Sequence, residues 1–172
     1  MQNPFSKTVK KYYSLGQIAE QVFASDLVKS EGGNIIKPTQ DEDINDHIDV
    51  FWEKDGKICS FDVKGARKKS RQDNTVSYDT TWLEFKNVHG NNGSLLGRQN
   101  YIAFEMENKW AIVRRKQLVS AVTKLIVDKT IYNQNPNENF KLYQRLGRKD
   151  LITRVPFSFI EENTVKYIMK NN

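Results

Sequence analysis

The chain has 172 residues, 38% of them apolar, with 9 Phe, 7 Tyr and 3 Trp; that is enough for one hydrophobic core, cramped for two, and too aromatic for a disordered segment. A single cysteine, Cys59, excludes an internal disulfide and leaves a structural zinc centre without ligands. The net charge of +6 is unevenly spread: residues 41–62 hold eight acids against Lys54 and Lys57, a local −6, so the remainder carries +12, a balance that suits a basic body gripping a polyanion around an acidic, cation-holding centre.

Met1 to Gly16 is polar and basic, without an apolar stretch of signal length, and no later run approaches a membrane span, so a soluble, intracellular (cytoplasmic) protein is expected. Ser14 followed by Gln17 resembles a capping box, and Leu15, Ile18, Ala19, Val22, Phe23 and Leu27 recur at helical spacing. The spacing predicts a first helix over about 15–30, closed by Gly32 and Gly33. Asp26 falls inside its apolar arc, which the helix alone does not explain. Glu20 falls at the arc's edge, within reach of a neighbouring sheet. Ile35 and Ile36 then suggest a short extended piece, and residues 41–46 an acidic loop.

Ile48 to Lys54 and Lys57 to Lys64 are rich in β-branched and aromatic residues, and Asp55-Gly56 between them signals a two-residue hairpin. Lys54 then faces Lys57, and paired residue numbers sum to 111, so Trp52 faces Cys59, Val50 faces Phe61 and Asp49 faces Asp62. Opposed residues share a face, and Lys64 joins Asp62 by the period of two. Two carboxylates and an ammonium therefore converge, while Val50, Trp52, Cys59, Phe61 and Val63 form an apolar face. Opposed like charges destabilise a sheet. Lys64 compensates them in a simple ionic cluster; a bound Mg²⁺ does so in a functional one.

Past Lys64, the run Arg67, Lys68, Lys69 and Arg71 leaves the strand end, where it would lie along a phosphate backbone. Thr75–Ser77 and Thr80–Phe85 suggest further strand, with Trp82, Glu84 and Lys86 on one face; Glu84 and Lys86 either complete the acidic site from that strand or lie on a solvent-facing surface, which alternating polar residues more often mark. Gly90-Asn91-Asn92-Gly93 is a permissive loop, and His47 and His89 are placed in loops or on the surface. Tyr101–Met106 and Trp110–Val113 form a second predicted hairpin. Leu118, Val122, Leu125 and Ile126 predict a helix over about 115–128, and a last helix is expected over Phe157–Met169 after Pro156. Arg145, Arg148, Lys149 and Arg154 make a second basic cluster, which would extend the track along the DNA.

The order of elements indicates α/β (α+β) architecture: one domain over 1–172, with a central mixed β-sheet flanked by helices, a core of about 14–128 and a C-terminal extension of about 129–172. Glu20 on the first helix, Asp49 on the first hairpin strand, and Asp62-Val63-Lys64 closing the next resemble the PD-(D/E)xK nuclease superfamily, with its restriction-endonuclease-like and Holliday-junction-resolvase-like branches. The likeness spans about residues 14–64; the proline the family places before its first aspartate is replaced by Ile48. The resemblance implies that Asp49 and Asp62 bind Mg²⁺ (Mn²⁺ as substitute), with the Val63 carbonyl and Glu20 as further ligands and Lys64 orienting or deprotonating the attacking water.

The leading expectation is a Mg²⁺-dependent endonuclease acting on DNA, with Glu20, Asp49, Asp62 and Lys64 catalytic and Arg67, Lys68, Lys69 and Arg71 on the nucleic acid. A homodimer would suit cutting two strands. A non-catalytic nucleic-acid-binding module on the same scaffold is the alternative. A regulatory protein with an ion-paired acidic cluster is a third.

Overall fold

The computed structural model describes residues 4–68, 75–134 and 138–171, and the side chains from residue 15 onward. In chain order the elements are α1 (Pro4–Glu31), β1 (Asn34–Ile36), α2 (Gln40–Asp46), β2 (Val50–Lys54), β3 (Lys57–Lys64), β4 (Arg67–Lys68), β5 (Val76–Ser77) and β6 (Thr80–Lys86). A 3₁₀ turn (Ser94–Leu96) follows, then β7 (Tyr101–Glu105), β8 (Lys109–Arg114), α3 (Arg115–Leu125), β9 (Ile131–Tyr132), β10 (Leu142–Tyr143), β11 (Leu151–Pro156), α4 (Phe157–Glu162) and β12 (Thr164–Met169).

A six-stranded mixed sheet in the order β1-β2-β3-β7-β8-β12 forms the centre, with β3 and β7 parallel and the other neighbours antiparallel. The predicted hairpin register is observed from Val50–Phe61 through Trp52–Cys59 to Lys54–Lys57, but the predicted Asp49–Asp62 pair does not form: the ladder stops at Val50, and the Asp49 amide bonds to the Phe61 carbonyl instead. Asp55 and Gly56 both take positive φ, 52° and 73°, as a type I′ turn requires. The pleat sorts the side chains onto two cores. Phe61, Val63, Ala103, Trp110, Ile112 and Ile168 face α1, which buries Ala19, Phe23 and Leu27 against them. Ile102, Phe104, Ala111 and Val113 face the opposite way, onto Leu118 and Val122 of α3, Phe159 and Ile160 of α4, and Leu83 and Val155 of a second sheet. That second sheet runs β6-β11-β10-β9.

Four expectations change. The first helix begins at Pro4 and runs through Ser14, so the Ser14/Gln17 pair is not its cap. Its buried stripe is Ala19-Phe23-Asp26-Leu27, while Leu15, Ile18 and Val22 stay exposed. Asp26 belongs in that stripe because it accepts hydrogen bonds from Trp110 Nε1 at 2.9 Å and from the backbone and side-chain amides of Asn171 at 3.0 Å. The acidic loop is instead α2, nucleated by a capping box in which Thr39 Oγ1 accepts from the Glu42 amide and Glu42 accepts from the Thr39 amide. Finally, only Phe157–Glu162 of the last predicted helix is helical. Thr164–Met169 alternates and adds an edge strand beside β8, with Ile168 turned into the core and Val165, Tyr167 and Met169 exposed.

Candidate active site

β2 and β3 stay paired up to Val50 and Phe61, and the Asp49 amide still donates to the Phe61 carbonyl (2.9 Å). There the ladder ends, and a side chain takes its place: the Val63 amide donates to Asp49 Oδ2 at 2.6 Å. An extended residue turns its N–H and C=O to the same edge, so the Val63 carbonyl also points to the edge that β2 has left and Asp49 occupies. The separation at Asp49 thus brings backbone and carboxylate oxygens to one strand edge.

Asp62, one residue back on β3, is buried at 2% exposure on the opposite face from α1. Its Oδ1 accepts from Lys64 Nζ at 2.7 Å. Its Oδ2 is buried without a hydrogen-bond partner among the described residues, a costly state for a carboxylate oxygen. Asp49 feels this neighbour: burial first, then the charge of Asp62, push its pKa up to about 8, against the pull of Lys64 and the Val63 amide. For Lys64 burial opposes the charge, but Asp62 and Asp49 outweigh it and its pKa is raised. Lys64 is therefore an ammonium.

Glu20 reaches the same neighbourhood from α1. It is half-buried, and burial, then Asp43 of α2 and Asp62, raise its pKa while Lys64 lowers it. The packing of α1 over the end of β3 is close, since a Cβ on Gly65 would stand 3.0 Å from that of Ala19. Among the described residues no three His, Cys, Asp or Glu side chains cluster tightly enough to hold a metal ion. The donors at hand are two carboxylates and a carbonyl. They fit a hard divalent cation that keeps several of its waters, and the orphaned Asp62 oxygen is the atom such a cation would satisfy.

Beside Lys64 opens a cavity of about 470 Å³ between the two sheets. Arg67 lines it, as do Trp82 and Glu84 from β6 and Arg145 from the turn after β10. Glu84, left undecided by the alternation of β6, is not on a plain solvent face: burial raises its pKa, and Lys64, His47 and Arg145 counter the rise. Arg67 and Arg145, distant in sequence, come together here; burial and the charge of Arg145 lower the Arg67 pKa. The sequence offered the second cluster as an extension of the basic track but not its meeting with Arg67 at one cavity, because the second sheet that carries Arg145 was not predicted. Lys68 lies on β4 and is half-buried; Lys69 and Arg71 lie outside the described residues. His47 caps α2 in a left-handed conformation (φ 57°) and its Nε2 lies 2.8 Å from the Asn92 carbonyl, a structural tie, and His89 is exposed.

No family model matches the chain, and no curated protein gives a significant match. Among solved structures, the chain is similar to a bacterial homing endonuclease, I-Ssp6803I, with 15% identity and a TM-score of 0.46, over 63% of this chain and 72% of that one. No helix among the described residues is long and apolar enough to cross a membrane.

Proposed function

We propose that this protein is a metal-dependent nuclease that hydrolyses phosphodiester bonds of DNA, an endonuclease on the PD-(D/E)xK plan. The observation that carries this is the buried, unpartnered Oδ2 of Asp62 beside the carboxyl of Asp49. Lys64 alone satisfies only one oxygen of Asp62 and leaves Asp49 and the half-buried Glu20 with raised pKa values, a state that a second cation would relieve. Mg²⁺, or Mn²⁺ in its place, would be held by Asp49, Asp62 and the Val63 carbonyl, with Glu20 approaching from α1. Once bound, such a cation lowers the pKa of its water and offsets charge on phosphoryl oxygens.

The chain's own groups supply the rest. Lys64, bonded to Asp62 Oδ1, would orient or deprotonate the attacking water and offset charge on the phosphate. Arg67 and Arg145 draw the polyanionic backbone to the same opening.

Supercoiled plasmid incubated with Mg²⁺ or Mn²⁺ tests this directly. Wild type should nick it, and Asp62→Ala and Lys64→Ala should each be slower by about 100-fold or more, the scale on which loss of one transition-state charge contact acts. Equal nicking by all three, or none in any metal, overturns the proposal. Titration calorimetry with Mn²⁺ should give heat with wild type and none with Asp49→Ala. DNA binding that persists without either metal heat or nicking would instead identify a non-catalytic module.

A further inference from the structure

The cavity beside Lys64 has a composition that the hydrolytic chemistry does not require. One wall is aromatic: Trp82 lines it, held edge-to-face by Tyr143 with ring centroids 5.6 Å apart at 79°. Its rim is cationic, with Arg67 and Arg145. Gln144 adds an amide able both to donate and to accept. The two guanidiniums differ in their commitments. Arg145 is paired through Nε with the buried carboxylate of Asp150, whereas Arg67 forms no ion pair among the described residues. Lys64 belongs to both places, for it bonds to Asp62 and also lines the cavity. Whatever fills this space therefore sits one residue from the proposed point of cleavage.

A braced aromatic face, an amide and a guanidinium without an ion pair among the described residues, in about 470 Å³, match one nucleotide: base against Trp82, Watson–Crick edge toward Gln144, phosphate toward Arg67. They do not match a stacked base pair. The cavity lies between the β6-β11-β10-β9 sheet and the end of β3, and a base still paired in a duplex cannot leave its stack to enter it. Extrusion from a continuous helix costs free energy that a mismatched, flapped or single-stranded nucleotide has already spent. We propose that this cavity is a binding site for a single unpaired nucleotide next to the scissile phosphate, so that the preferred substrate is DNA with an unpaired nucleotide at the cut. This rests on the nuclease proposal for the word scissile, but not for the binding.

The test separates the two. Full-length protein is titrated in EDTA with three oligonucleotides labelled with 2-aminopurine: single-stranded, duplex with one mismatch at the label, and fully paired. The same three are then incubated with Mg²⁺ and scored for cleavage. Wild type should bind the single strand and the mismatched duplex about tenfold more tightly than the paired duplex, with quenching of the label on binding. Trp82→Ala should abolish the difference, Trp82→Phe should keep most of it, and Arg67→Ala should weaken all three. Thermal melts of each variant show that the fold is retained. Equal affinity for paired and unpaired DNA, or a preference unchanged in Trp82→Ala, overturns the inference even if all three are cleaved. A preference for unpaired DNA that Trp82→Ala removes upholds it even if none is cleaved, and only the nuclease proposal then falls.

Discussion

At the scale of single residues, Asp49 is under two opposed demands, and they can be measured separately. Its amide and one carboxylate oxygen finish the β2–β3 ladder, while burial beside Asp62 raises its pKa to about 8. A carboxyl with an ordinary pKa of about 3.9 in the unfolded chain and one near 8 in the folded chain holds its proton more tightly when folded. The sign follows: stability is undiminished below about pH 4 and falls as pH rises toward 8, the reverse of an acid stabilised by a salt bridge. In EDTA, Asp49→Asn should therefore melt higher than wild type at pH 9, by a few degrees for about 1–2 kcal/mol, with the difference closing toward pH 5. Adding Mg²⁺ at pH 9 should raise the wild-type midpoint and leave that of Asp49→Asn in place. A wild-type midpoint independent of pH between 5 and 9 would show that Asp49 is not strained by its neighbours.

Elements were legible where local rules act alone. The Asp55-Gly56 turn fixes the β2–β3 register as far as Val50 and Phe61, so counting brought Asp49 near Asp62 and Lys64 but could not show that the ladder ends there and that Asp49 turns to the Val63 amide rather than facing Asp62. Where two local signals compete, tertiary context decides. Ser14 offers a cap that the longer α1 overrides, whereas Thr39 and Glu42 form the working capping box within a stretch so acidic that it suggested a loop. Thr164–Met169 carries helical and strand patterns together, and the open edge of β8 selects strand. Asp26 could not be understood from its helix, since its partners Trp110 and Asn171 lie 84 and 145 residues away. The cap of α2 has a consequence for the site, because the helix ends at His47, two residues before Asp49. Thr39→Ala should cost about 1 kcal/mol in urea unfolding and weaken Mn²⁺ binding modestly. Unchanged stability would mean that α2 is held by its contacts rather than by its cap.

Over the whole molecule, the charge pattern is resolved into a geometry. Six of the eight acids of residues 41–62 lie on α2 or at the β2–β3 opening, Glu53 and Asp55 being at the far turn, and the cations of two separated segments meet near the opening at Arg67 and Arg145. DNA drawn in by the second group must pass close to the first, so without a cation the aspartates work against binding. Fluorescence anisotropy in EDTA across a salt series should show the logarithm of the binding constant falling with log salt, at about 0.9 per phosphate engaged in duplex. Arg67→Ala should reduce that slope by about 1; Arg145 is the poorer probe, since removing it would strand the buried Asp150. Asp62→Asn should bind DNA several-fold more tightly than wild type in EDTA, because one repelling charge is gone. Adding Ca²⁺ should reverse the order, strengthening wild type and not the variant, since only the wild-type pair turns from repulsion to attraction when a cation joins it. Affinities that keep the same order with and without Ca²⁺ would place the acidic pair outside the path of the DNA.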